Sequence, residues 1–123
     1  MEKVTTVHAP AAIGPYSQGM IWGDLVFTSG QIPVDPATGT IPEGITAQAE
    51  QSCRNVAAVL EAAGSSAEQV IKTTCFLADM GDFAAFNAVY AKFFPNAPAR
   101  SCVAVRELPR QVLCEIEAIG QRK

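Results

Sequence analysis

The chain has 123 residues, of which 49% are hydrophobic and 17% charged, with a net charge of −3 and a pI of about 5.0. That length fits one domain, 1–123, able to bury about two thirds of the surface its unfolded chain would expose. No apolar run reaches the roughly 18 residues a membrane span needs, and the acidic balance disfavours a broad nucleic-acid surface.

Residues 1–18 begin with alternating short β-type residues and then carry Ala9-Pro10-Ala11-Ala12 and Gly14-Pro15-Tyr16. Two prolines and a glycine so close prescribe a loop with fixed turns, which presents Tyr16 from a stiff backbone. Gly19 to Ile32 reads as two strands around a two-residue turn at Gly23-Asp24. In the second, Leu25, Phe27 and Ser29 share one face and Val26, Thr28 and Gly30 the other. The run from Pro33 to Thr40 is rich in turn residues and reads as a surface loop.

Gly44 to Gly64 reads as a helix. Ile45, Ala49, Cys53, Val56, Leu60 and Ala63 recur every three or four residues, with Gln48, Glu50, Gln51, Arg54, Asn55 and Glu61 towards the other side. Gly64 supplies the stop. A β-branched run from Val70 to Ala78 gives the next strand. Asp82 is the expected N-cap of a second helix reaching Phe94, with Phe83, Phe86, Val89 or Tyr90, and Phe93 on its apolar stripe and Asn87 beside it. Pro95 and Pro98 end that helix. A strand through Pro98–Val105 follows, and a last one runs from Gln111 to about Ile119. There Val112, Cys114, Ile116 and Ala118 face one way, and Leu113, Glu115, Glu117 and Ile119 the other.

The order β-β-α-β-α-β-β predicts an α+β fold, with two helices on one face of a mixed sheet. The opposite face then stands uncovered, with Leu25, Phe27, Leu113 and Ile119 among its polar residues. A half-apolar, uncovered face on so small a chain implies subunit contact in a symmetric assembly.

Cys53, Cys75, Cys102 and Cys114 lie far apart with no C-x-x-C pair, which argues against zinc and for reduced, mostly buried thiols. Met1-Glu2-Lys3-Val4 does not resemble the start of a secretory signal, so the expected compartment is the cytoplasm. His8 is the single histidine, which leaves little for a His-dependent triad. Neither a phosphate-loop nor a dinucleotide-binding glycine pattern is present.

The stretch Pro98-Ala99-Arg100-Ser101-Cys102-Val103-Ala104-Val105 carries the chemistry that most needs explaining. Alternation places Arg100, Cys102 and Ala104 on one face and Ser101, Val103 and Val105 on the other, the second being apolar enough to pack on helices. A guanidinium inside a strand needs an anionic partner, because an unpaired buried charge costs several kcal/mol. Glu115 is one candidate, as a salt bridge across two strands expected to pair antiparallel. A ligand carboxylate is the other, since the planar fork of Arg grips it in bidentate fashion while a glutamate orients or deprotonates water. Tyr16, Ser29 and Asn87 are hydrogen-bonding groups in apolar or stiffened surroundings. Cys102 lies beside Arg100, a setting that can lower a thiol pKa.

Five blocks resemble the RidA/YjgF family: residues 9–19 (Ala-Pro-Ala-Ala-Ile-Gly-Pro-Tyr-Ser-Gln-Gly), Phe27-Thr28-Ser29-Gly30-Gln31-Ile32-Pro33, Val70-Ile71-Lys72-Thr73-Thr74, Pro98-Ala99-Arg100-Ser101-Cys102-Val103, and Glu115-Ile116-Glu117-Ala118-Ile119. They span nearly the whole chain in the family's order. The resemblance implies a chorismate-mutase-like α+β domain, assembled as a homotrimer with ligand clefts between subunits. It implies a deaminase that hydrolyses 2-aminoacrylate and 2-iminoacids (2-iminobutanoate, 2-iminopropanoate) to 2-ketoacids and ammonia. No metal or organic cofactor is implied, and the substrates would come from pyridoxal-phosphate enzymes such as threonine dehydratase. On that pattern Arg100 is the carboxylate-binding residue and Glu115 the water-associated one. Tyr16, Ser29, Asn87 and Cys102 line the substrate cleft, Cys102 through its backbone. The short Phe94–Pro98 connection would alter the cleft rim. The family also offers a small-acid-binding or regulatory protein without turnover, and a translation-inhibiting endoribonuclease.

Overall fold

The computed structural model describes residues 1–123. Its elements are β1 (Glu2–Val4), β2 (Gly19–Trp22), β3 (Leu25–Thr28), α1 (Ile45–Ala62), β4 (Val70–Leu77), α2 (Phe83–Phe93), β5 (Ala99–Ala104) and β6 (Cys114–Gln121). The strands form one sheet in the spatial order β1-β2-β3-β6-β4-β5. Neighbours are antiparallel throughout except β4 and β5, which run parallel on either side of the α2 crossover. The last strand in the chain therefore occupies the middle of the sheet.

Both helices lie on one face, as the α+β reading expects. On β4 the inward residue Thr73 shares a 2.7 Å hydrogen bond with the Tyr90 hydroxyl of α2. On β6 the inward thiol of Cys114 meets the Ser52 hydroxyl of α1. Val26, Val56, Val59, Leu60, Leu77, Phe86 and Ile116 have no solvent exposure between these layers. They alternate along strands and recur by turns along helices, so the two periodicities of the sequence meet in one core. Cys53, Cys75 and Cys114 are buried in it. The opposite face has no covering layer, and Phe27 and Val103 are exposed there. No helix is long and apolar enough to cross a membrane.

Four expectations need correcting. The N-terminal residues are not all loop, because β1 pairs with β2 through Glu2↔Ile21 to Val4↔Gly19; the alternation at the start of the chain is a short edge strand. Gln48 and Asn55 are buried in α1 instead of facing out. Each amide satisfies loop backbone that helix and sheet cannot reach: Gln48 donates to Pro42 O and accepts from Leu113 N, and Asn55 donates to Ile32 O and Val34 O. Asp82 occupies the N-cap position of α2, but its side chain makes no capping hydrogen bond. The adjacent turn is held by Asp79, whose carboxylate accepts from Gly81 N.

The fourth correction bears on the site. β5 does not pair with β6, because β4 lies between them. The face of β5 that meets the helices is also the reverse of the one its apolar residues suggest. Thr73↔Arg100 and Cys75↔Cys102 are register partners, so Arg100 and Cys102 share the inward face of Thr73 and Cys75, and Val103 is exposed. On an edge strand a long guanidinium stem covers apolar surface that a short aliphatic cannot reach.

Candidate functional site

Arg100 is delivered to the outer end of the helix layer by β5, and α2 receives it. Its Nη1 donates to Asn87 Oδ1 at 2.7 Å. Its guanidinium carbon stands 4.7 Å from the centre of the Tyr90 ring and 5.5 Å from that of Phe83. The two ring faces and the amide oxygen supply negative potential without a full negative charge. No carboxylate is paired with Arg100, since the one ion pair in the chain joins Arg54 to Glu50 on α1. Next to the guanidinium a cavity of about 370 Å³ opens between Asn87, Tyr90, Phe94, Pro95, Pro98 and Arg100.

Tyr90 ties this cluster to the core. It is 7% exposed, and its hydroxyl is occupied by Thr73. Burial pushes its pKa up, more than the Thr73 hydrogen bond lowers it. Sequence periodicity offered Val89 or Tyr90 for the stripe, and only the structure identifies Tyr90 as the platform under Arg100. Cys102, two residues along the same face, packs against the core. Burial raises its pKa, with the Arg100 charge a smaller opposing effect, so the lowered thiol pKa expected from the neighbouring cation is not what the fold produces.

Glu115 stands on the other face. Its register partner is Phe76, an outward residue of β4, whereas Arg100 is aligned with inward Thr73. Within one chain the two do not form a cross-strand pair, and the salt-bridge reading of Arg100 fails. The Glu115 carboxyl lies against the backbone of Gly30, so near that a Cβ at position 30 would fall 2.0 Å from Oε2. Burial raises its pKa, and Glu117 adds to the rise.

Ser29 and Tyr16 belong to this second group. Ser29 Oγ donates to Ser17 O at 2.6 Å, fastening the loop that carries Tyr16 to the end of β3. Buried Gln18 secures the rest of that loop. Its amide nitrogen reaches the carbonyls of Thr6, Ala9 and Pro10, and its oxygen accepts from Thr6 N. Tyr16 is half-exposed and lines, with Gly30, Gln31, Ile32 and Arg110, a recess of about 390 Å³. The expected site residues thus fall into two clusters: Asn87, Arg100 and Cys102 on the helix side, and Tyr16, Ser29 and Glu115 towards the open side. His8 is exposed and belongs to neither. No group of three or more His, Cys, Asp or Glu side chains is arranged to hold a metal ion.

Comparison with known proteins gives consistent matches over nearly the full chain. Residues 6–121 match the family described as Endoribonuclease L-PSP. A RutC family protein of Haemophilus influenzae is 57% identical over 98% of this chain and 96% of its own. The 2-iminobutanoate/2-iminopropanoate deaminase of Salmonella typhimurium is 55% identical over 99% of this chain and 98% of its own. The crystal structure of TdcF from E. coli with bound serine superimposes with a TM-score of 0.96 at 50% identity, covering the whole of both chains.

Proposed function

This chain belongs to the endoribonuclease L-PSP family, the RidA/YjgF proteins, and on that premise we propose that it hydrolyses 2-iminoacids such as 2-iminobutanoate and 2-iminopropanoate to 2-ketoacids and ammonia. The observation that carries the reading is the unpaired guanidinium of Arg100, held by Asn87 Oδ1 and the Tyr90 ring beside an open cavity. A planar fork presented this way, with no carboxylate of its own chain, suits a substrate carboxylate. The name of the Salmonella relative supplies the reaction class.

Arg100 and Glu115 lie on opposite faces of the sheet, so the proposed site needs two copies of the chain. Arg100, Asn87 and the backbone at Cys102 come from one subunit, and Glu115, Ser29 and Tyr16 from its neighbour. The exposed apolar residues of the open face, Phe27 and Val103 among them, support burial of that face in a homotrimer. In the cleft, Arg100 fixes the carboxylate and sets the C=N carbon near a water held by Glu115. The water oxygen bonds to that carbon as the C=N π pair moves to nitrogen, and Glu115 takes the water's proton and hands it to the nitrogen, giving a carbinolamine. Glu115 then takes the hydroxyl proton as the C=O bond forms and delivers it to the nitrogen as the C–N bond breaks, so ammonia leaves and the carboxylate is ionised again. An imine carbon is already electrophilic, so water suffices and no cofactor is invoked.

Subunit mixing tests the proposal. Arg100→Ala and Glu115→Gln homo-oligomers should each lose ketoacid release from 2-iminobutanoate generated in situ. Mixed oligomers restore one kind of cleft with both residues native, and activity should reappear. Failure to reappear in verified mixed oligomers removes the shared cleft. Binding of a 2-ketoacid with no rate enhancement in the parent protein favours a ligand-binding role without turnover. The net charge of −3 and a lone exposed histidine weigh against RNA cleavage.

A further inference from the structure

Glycine at position 30 calls for an explanation that its backbone does not supply. Gly30 lies outside the left-handed region that Gly14, Gly23, Gly39, Gly44 and Gly64 occupy, so an alanine could adopt its conformation. Space is what an alanine would lack. A Cβ there would stand 2.0 Å from Glu115 Oε2, 2.8 Å from Cδ and 3.2 Å from Cγ. The missing side chain is a slot, and the end of Glu115 fills it.

The slot has rigid walls. Ser29 N donates to Gln18 O at 2.9 Å, Gln31 N donates to Ile116 O at 2.8 Å, and Ile116 N returns a bond to Gln31 O at 3.2 Å. Thr28 Oγ1 accepts from Ala118 N at 3.0 Å. The Gln31 side chain, 4% exposed, closes the turn by donating to Ser29 O. The turn is therefore held to Gln18 at Ser29 and to β6 at Gln31 and through the Thr28 side chain, which leaves the Gly30 backbone little room to retreat from a new methyl group. The Glu115 side chain can give way, because the atoms that meet the slot, Oε2, Cδ and Cγ, are the far end of a flexible side chain. An alanine at position 30 thus spares the fold and displaces the carboxylate.

We propose that Gly30 is a positioning residue, whose lack of a side chain sets where the Glu115 carboxylate stands and hence where it holds the attacking water. This rests on the role given to Glu115 above. A misplacement of about 1 Å in a reacting group can cost on the order of 100-fold in rate. Arg100 keeps its Asn87 and Tyr90 supports in that variant, so carboxylate binding should be untouched.

The test uses the assembled protein with 2-iminobutanoate generated in situ. Gly30→Ala should keep the parent's oligomeric mass and thermal midpoint, lose about 100-fold in kcat and hold KM. Glu115→Asp shortens the side chain by one methylene, which withdraws the carboxylate from an empty slot but clears an added methyl. Its cost should therefore be smaller in the Gly30→Ala background than in the parent. Independent, multiplying losses overturn the proposal, as does parental kcat in Gly30→Ala. A readout without turnover separates this proposal from the assignment of Glu115: the Glu115 carboxyl carbon resonance in 13C-labelled protein, identified by its loss in Glu115→Gln. It should move in Gly30→Ala, and an unmoved resonance overturns the placement whatever the activity. If instead it moves while Glu115→Gln retains the parent's kcat, the slot stands as geometry. The catalytic assignment of Glu115, and with it the positioning role of Gly30, then falls.

Discussion

The two sides of the sheet solve the same electrostatic problem by different means. On the helix side a cation is accommodated by neutral groups: two aromatic faces and one amide oxygen surround Arg100. On the open side an anion is accommodated by the space that Gly30 leaves. The first solution depends on packing, because Tyr90 is buried and fastened to Thr73. The second depends on backbone bonds that hold the Gly30 turn to β6. Within one chain neither charge is neutralised by a counter-ion, although one was available in composition. A charge without an ionic partner raises the free energy of the chain alone, and a ligand of opposite sign relieves that cost at the helix side. The contrast separates what fixes a group from what answers its charge.

The sharpest break in that contrast is Arg100→Ala. Truncating one partner of a close charge pair costs about 2–5 kcal/mol, so kcat/KM for the imine should fall by about 1,000-fold while the fold persists. Arg100→Lys should recover little, since a point charge lacks the fork. Unchanged turnover in either would return Arg100 to a structural role. Packing comes next. Phe86→Ala, under the helix side, should lower unfolding free energy by about 3–5 kcal/mol in denaturant titration. Phe27→Ala, on the open side, should instead lower the mass seen by light scattering in dilute solution. A reversal of those two outcomes would mean that the sides have been misassigned.

Tyr90→Phe divides platform from anchor. It keeps the ring under Arg100 and strands the Thr73 hydroxyl, so stability should drop by about 1–2 kcal/mol with KM unchanged. A raised KM would show that the hydroxyl, too, serves Arg100. The smallest effect is on the open side. Burial raises the Glu115 pKa, so the folded chain holds that proton more tightly than the unfolded chain. The stability this contributes is fully present below the unfolded value and is lost as pH rises to the folded one. Glu115→Gln escapes that loss, and its thermal midpoint should gain on the parent's as pH climbs upward from the ordinary glutamate value. A difference that stays flat or shrinks across that window contradicts the burial of the carboxylate.

Local periodicity carried the fold a long way. The α1 stripe, the Gly23-Asp24 turn, the Gly64 stop and the two faces of β6 are short-range consequences of residue type, and the structure places them as expected. Pairing partners are not short-range. Chain order put β5 beside β6, and nothing in either segment signals that β4 intervenes. The buried amides of Gln48 and Asn55 escaped for a related reason, since their partners are loop carbonyls and an amide far along the chain. Arg100 and Glu115 were singled out by chemistry that alternation made unusual. Gly30 had no such signal beyond its place in a Thr-Ser-Gly-Gln block, because an empty volume is defined by its neighbour. Tyr90 read as an ordinary stripe residue, since a platform and a core aromatic share the same spacing.

β6 lies between β3 and β4, and it is the last of the eight elements to be synthesised. Until it leaves the ribosome, neither β3 nor β4 has the partner it takes in the folded sheet, so any sheet formed by then ends in an unsatisfied hydrogen-bonding edge. Local contacts can form Arg100's cluster early, because β4, α2 and β5 are consecutive. Glu115 and its Gly30 slot are joined only when the final strand inserts. The nascent chain thus carries two sticky borders for most of its translation. Slowing the ribosome just before β6 should raise aggregation more than an equal pause anywhere upstream.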